Sequence, residues 1–142
     1  MAVWLLKTEP DVFSWADLVA RGAAGEPWTG VRNHQAKNFM AAMAVGDTAL
    51  IYHTGSEKRV VGCGQVIRAA YPDPTDPTGA FLCVDVQAGA SLARPVMLAE
   101  IKALPALSGM MLVRAPRLSV QPVTEDEFAA VLGCAGSVET SR

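Results

Sequence analysis

The dozen residues from Trp28 to Phe39, WTGVRNHQAKNF, place a tryptophan, an arginine, two asparagines, a histidine, a glutamine and a lysine in one stretch of a chain that is only 6% aromatic and 18% charged. Planar and hydrogen-bonding side chains at that density suit the recognition of a flat polar ligand. Trp28 follows Pro27 and precedes Gly30, which puts it on a loop. There its indole either covers one end of the core or offers a stacking surface, worth about 1–3 kcal/mol per base if a nucleobase lies on it. Asn33 is placed to cap the helix that follows, and Arg32 beside a helix N-terminus makes an anion site.

Other segments carry similar groups. LLKTEP sets Lys7 and Glu9 at the end of a first strand, where an exposed ion pair is the plain expectation, and Tyr52 and His53 end another strand. In RLSVQPV, Arg117, Ser119 and Gln121 alternate, so an extended strand would turn all three to one face.

Several chemistries find no support in the residues, and nucleotide-cofactor binding is excluded. No Gly-x-x-x-x-Gly-Lys-Ser/Thr loop is present, and Gly62-Cys63-Gly64 lacks the third glycine and following helix of a dinucleotide fingerprint. Neither histidine, His34 or His53, sits in a Ser or Cys nucleophile motif. Cys63, Cys83 and Cys134 are odd in number and far apart, which reads as buried reduced thiols and neither a metal site nor a disulfide framework. A net charge of -2 argues against coating nucleic acid through bulk charge. No cofactor is implied.

These groups need a scaffold. AVWLL reads as a buried strand ended by KTEPD, and Ser14 with Asp17 in capping-box position starts a helix that Gly22 stops. Ala36, Phe39, Met40 and Met43 form one apolar helical face in a segment from Asn33 to Val45, closed by Gly46. TALIYH, VVGCGQVIRAAY and AFLCVDVQ read as strands, with Gly62 and Gly64 marking a bulge and YPDPTDPTG a turn-rich connection. PVMLAEIKALPAL suggests a helix introduced by Pro95, and MMLVRAPRLSVQPV strand interrupted at Pro116. TEDEFAAVLG is a helix capped by Thr124 and Glu127 and stopped by Gly133. The expectation is one α+β domain over residues 1–136, a curved sheet or small barrel with short helices around it, and a flexible tail at 137–142. With no long apolar run and no signal-like N-terminus, the sequence predicts a soluble, cytoplasmic protein with no membrane partner.

LLKTEPDVFSWADL, WTGVRNHQAKNF, VGDTALIYHTG, VVGCGQVI, AAYPDPT and RLSVQPV resemble, in order and close to spacing, the EVE domain family, from about Val3 to Gly136. The resemblance implies a PUA-like curved β-barrel with helices packed on it. It also implies a non-enzymatic domain that binds a modified nucleobase, above all modified cytosine in DNA, flipped into an aromatic and polar pocket. Matched to the family's motifs, Trp28, Arg32, Asn33, Lys7, Glu9, Tyr52, His53, Ser119 and Gln121 would form that pocket, and Lys37 and Arg117, with Arg32, would hold flanking phosphates. Thr29 replaces a usual acidic residue, Lys37 a usual arginine, and the loop from Pro74 to Phe81 is short. The expected state is a monomer with modified DNA as ligand, any output passing through a separate effector. Three other readings stay open at this point: an RNA-binding module, a small hydrolase or base-modifying enzyme using Glu9 or His53 as acid–base, and a scaffold role with no ligand, which burial of Trp28 under core side chains would favour.

Overall fold

The computed structural model describes residues 2–136, so the expected tail lies outside the described residues. Its strands are β1 Val3–Thr8, β2 Glu26–Pro27, β3 Thr48–His53, β4 Arg59–Pro72, β5 Leu82–Met97 and β6 Val120–Val123. They form a six-stranded sheet in the order β2-β5-β4-β3-β1-β6. The α-helices are α1 Trp15–Ala20, α2 His34–Ala42, α3 Leu98–Ala103, α4 Met111–Arg114 and α5 Glu125–Cys134. The α+β class is as expected, but β2 and β6 are free ends, so the sheet is open and curved and does not close into a barrel. Four register shifts between β4 and β5, at Val60/Gly62, Gly62/Gly64, Val66/Arg68 and Arg68/Tyr71, coil the long central hairpin.

β1 runs parallel to β3 and antiparallel to β6. Both faces of this centre are covered, which is why AVWLL is continuously apolar where a half-exposed strand would alternate. Trp4 and Leu6 pack with Ala49, Ile51, Trp28 and Met40 on one face, and Val3 and Leu5 pack with Leu50, Tyr52, Ile101 and Leu107 on the other. Asp47, at the entry to β3, fixes the pairing. Its buried carboxylate accepts from the Trp4 indole Nε1 at 3.0 Å, the Ala44 N–H at 2.9 Å and the Ala2 N–H at 3.2 Å.

The helix starts follow their caps. Ser14 Oγ accepts from the Asp17 N–H, Asn33 Oδ1 from the Ala36 N–H, and Thr124 Oγ1 from the Glu127 N–H. Other boundaries differ from expectation. α2 ends at Ala42, and Gly46 instead supplies a left-handed turn (φ 97°) before β3. β5 runs through Pro95 to Met97 because the buried Val96 pairs with Val60, so α3 starts at Leu98. Met111–Arg114 is helix, and strand resumes only at Val120. α5 continues past Gly133 to Cys134. All the cysteines are free thiols, of which only Cys83 is fully buried.

Gly62 carries the closest contact in the sheet. A Cβ there would lie 2.4–2.5 Å from ring carbons of Trp15, whose Nε1 donates to Ser91 Oγ at 3.1 Å and whose backbone N–H donates to His53 Nε2 at 3.0 Å. The indole thus lies flat on β4 only because that position has no side chain. Gly62→Ala is expected to cost about 1–3 kcal/mol in urea denaturation. Gly133→Ala, at a helical position with open space around it, is expected to raise stability by about 0.5–1 kcal/mol.

Candidate functional site

A cavity of about 550 Å³ opens where β1 ends. Three segments wall it: Lys7 to Phe13, Glu26 to Arg32, and Ser119 just before β6, with Arg21 at the rim.

Phe13 and Trp28 line it as one aromatic pair in edge-to-face contact, ring centres 6.0 Å apart at 86°. Trp28 is only 7% exposed and belongs to the core cluster. Its backbone N–H donates to Val84 O at 2.7 Å, continuing the pairing of β2. It is therefore a core residue that also lines the cavity. Its indole N–H has no acceptor among the described residues. Phe13 was not anticipated from sequence, although its place one residue before the Ser14 cap is a staple-like position. Thr8 Oγ1 donates to its carbonyl at 2.6 Å. The Arg21 guanidinium lies 5.4 Å from its ring centre while Nε donates to Glu26 Oε1 at 2.8 Å.

The loop after Trp28 is held by Asp73, which is 1% exposed. That carboxylate accepts from the Gly30 N–H at 2.8 Å, Arg32 Nη1 at 3.0 Å, and the Thr75 N–H and Oγ1, both at 2.7 Å. Burial pushes its pKa up, but the hydrogen bonds from Thr75, Gly30 and Arg32 outweigh burial and bring it down to about 2. Arg32 Nη2 donates further to Thr75 Oγ1 at 2.9 Å, so this guanidinium is largely engaged in positioning the wall. The next three residues repeat the device: Asp76 accepts from the Thr78 N–H and Oγ1 and from the Phe81 N–H, which hold its pKa at about 2. YPDPTDPTG is thus two consecutive Asp-Pro-Thr turns, each closed on its own aspartate.

Lys7 and Glu9 both reach the cavity but are not ion-paired to each other. Lys7 Nζ donates to Pro116 O at 2.6 Å and lies 5.7 Å from the Tyr52 ring centre, and burial lowers its pKa. Glu9 is exposed, its Oε2 accepting a 3.4 Å hydrogen bond from Thr54 Oγ1.

Of the residues singled out in the sequence, the structure gathers Trp28, Arg32, Lys7, Glu9 and Ser119 around this cavity. The others stand elsewhere. Asn33 and Arg117 line an adjoining hollow of about 440 Å³, and Lys37 stands on α2 away from both. Tyr52 is buried in the core on the opposite face of the sheet. His53 is 7% exposed and forms a joint: Nε2 accepts from the Trp15 N–H, so Nδ1 carries the proton and donates to Glu57 Oε1 at 2.8 Å. Gln121 is fully buried, its Nε2 donating to the carbonyls of Ala115 and Leu118 at 2.9 Å and of Met111 at 3.4 Å. Arg117, Ser119 and Gln121 do not share a face as the alternation predicts, because the chain turns at Pro116-Arg117 and is extended only from Val120.

The cavity thus offers aromatic edges, an ammonium, a carboxylate and a hydroxyl in one place, a set suited to a planar heterocycle bearing both donors and acceptors. Among the described residues no cluster of His, Cys, Asp and Glu could hold a metal ion, and no helix is long and apolar enough to cross a membrane. Fold and site together define a PUA-like α+β domain with an aromatic, charged cavity at the end of its central strands. The chain belongs to the EVE domain family, whose model matches residues 2–134.

Human thymocyte nuclear protein 1 is 35% identical over 161 aligned residues, covering 91% of this chain and 72% of that protein. The crystal structure of that human protein in complex with 5-methylcytosine-containing DNA superposes with a TM-score of 0.89 at 33% identity, covering 95% of this chain and 98% of that one. A Rhodopseudomonas palustris protein solved by NMR is 54% identical with a TM-score of 0.91, covering 96% and 94% of the two chains. One from Agrobacterium tumefaciens is 40% identical with a TM-score of 0.92 over the whole of both.

Because the folded pKa of Asp73 is depressed, its contribution to stability is complete above about pH 4 and is lost as pH falls toward 2. Asp73→Asn is expected to flatten part of that acid limb in thermal unfolding. At neutral pH it should cost about 1–3 kcal/mol, since buried donors lose their charged acceptor.

Proposed function

We propose that this domain reads a modified cytosine in DNA, receiving the base, turned out of its stack, in the cavity lined by Phe13 and Trp28. The observation that carries this reading is the grouping of an aromatic wall with Lys7, Glu9 and Ser119 in a chain whose fold matches that of the human relative bound to 5-methylcytosine DNA.

The chemistry follows from the groups present. A carboxylate accepts from the exocyclic amine of cytosine, and an ammonium donates to its carbonyl oxygen. Together these distinguish cytosine from thymine, whose edge carries a carbonyl in place of the amine. Flipping costs a few kcal/mol, which stacking and edge hydrogen bonds offset. A methyl group against the apolar side chains of Val12 and Phe13 adds about 0.8 kcal/mol, or roughly fourfold in affinity. Two facts favour a binder over a catalyst. Both ring nitrogens of His53 are engaged in holding α1 to the β3–β4 turn, and Arg32 is tied to Asp73 and Thr75. The net charge of -2 leaves little attraction for unmodified duplex at physiological salt.

The burial of Trp28 decides which variants are informative, because Trp28→Ala would open a core cavity costing about 3–5 kcal/mol. Glu9→Gln removes the charge of an exposed residue and leaves the fold alone. Fluorescence anisotropy on matched DNA and RNA strands bearing cytosine or 5-methylcytosine should show methylated DNA bound about fourfold or more tightly than its unmodified match. Glu9→Gln should weaken it about tenfold. Equal weak binding of all strands, unchanged by Glu9→Gln, would refute the reading, and preference for an RNA strand would reassign the polymer.

A further inference from the structure

Lys7 has a second side. Beyond it lies a separate hollow of about 300 Å³, with Lys7, Lys58, Lys102, Tyr52 and Pro116 in its lining beside the apolar Leu98 and Leu112. None of the three lysines forms an ion pair with a carboxylate among the described residues, whereas Arg21, Arg32, Arg59 and Arg94 all do. In a chain with more acidic than basic residues, three uncompensated ammonium groups around one hollow make a local positive field.

The backbone is bent unusually at one of them. Lys58 has φ 49°, and among the described residues no other non-glycine has a positive φ. That conformation is held by the Leu98 N–H, which donates to Lys58 O at 2.8 Å where α3 begins, and by the pairing of Arg59 with Met97. The same α3 carries Lys102 in its last turn, so one hydrogen bond ties the β3–β4 turn to the helix that brings the other lysine. The Tyr52 hydroxyl has no partner among the described residues and adds a neutral donor. Burial already lowers the pKa of Lys7, and an anion in the hollow would favour its charged form.

Lys7 also lines the cavity described above, and Pro116 also lines the hollow that holds Arg117. The two hollows and the cavity therefore meet around the Pro116–Ser119 turn. We infer that the Lys7–Lys58–Lys102 hollow is a phosphate site, holding a backbone phosphodiester of the nucleic-acid strand whose base enters the neighbouring cavity. The identity of that strand rests on the proposed function; the anion site rests on the lysines. Phosphates held here position the strand and carry no sequence information.

Lys58 and Lys102 line only this hollow, so they test it without touching the base cavity. The experiment measures affinity against salt concentration for single strands with and without 5-methylcytosine, using the intact chain and the Lys58→Gln/Lys102→Gln double variant. Loss of two phosphate contacts should lower affinity about tenfold or more for both strands. It should also reduce the slope of log K against log[salt] by about 1.4 while leaving the ratio between strands unchanged. Lys58→Arg/Lys102→Arg should restore the slope. If the double variant keeps the affinity and slope of the intact chain while methylated DNA is still preferred, the hollow is a solvated surface and the inference falls, though the base-reading proposal stands. A reduced slope in the variant without any preference for the methylated strand upholds the phosphate site and removes the base reader. Binding by the intact chain that does not vary with salt overturns the inference outright.

Discussion

The centre of this molecule is a pair of parallel strands with no exposed face. Leu5, Leu6, Leu50 and Ile51 are all wholly buried, so each side of β1 and β3 must be covered by something, and the helices do so. α2 and the Trp28 loop cover one side, and α3, the turn after it and α5 cover the other. A parallel pair also requires a crossover. Here residues 9–47 supply it, and the first part of that crossover becomes the wall of the cavity. The cavity is thus a by-product of how a parallel connection returns across the end of β1.

Burial divides the polar residues at the cavity and around it into two kinds. Asp73, Gln121, His53 and Arg32 direct their hydrogen bonds to backbone and to other side chains of the fold, holding loops that have no sheet to hold them. Lys7, Glu9 and Ser119 line the cavity with hydrogen-bonding capacity left over. Trp28 belongs to both kinds, since its ring is core while its indole N–H has no partner among the described residues. A wall made partly of core cannot shift without disturbing the core, and that rigidity is what a pocket for a flat ring requires.

Much of this was legible in the residues. Ser14, Asn33 and Thr124 announce their helices because capping is a local matter between a side chain and the N–H groups two or three residues on. TALIYH reads correctly because its burial on both faces leaves an unbroken apolar run. Elsewhere tertiary contacts overrode local cues. Pro95 looks like a helix start but lies in β5, since pairing of Val96 with Val60 outweighs the local preference. RLSVQPV alternates like a strand, but the Gln121 amide gathers the carbonyls of Met111, Ala115 and Leu118 and holds the preceding residues in a turn. The alternation was real over too few residues to govern. Phe13 and the role of Asp73 were illegible for a different reason: each acts only through partners brought near by the fold, Trp28 for one and Gly30 with Arg32 for the other.

The pairing of β1 sets a schedule for the folding of the domain. Its parallel neighbour ends at His53, but its other edge is closed by Val120–Val123, with Val3 opposite Val123. During synthesis, therefore, β1 waits for every other strand of the sheet to be made before both its edges are satisfied. Contacts of such long sequence separation form late and slowly. Until β6 arrives, VWLLKT is an apolar strand with an open edge, the kind of segment that invites aggregation on the ribosome. The cavity draws on the end of that strand and on Ser119 beside it, so its lining is complete only as the last strand is reached.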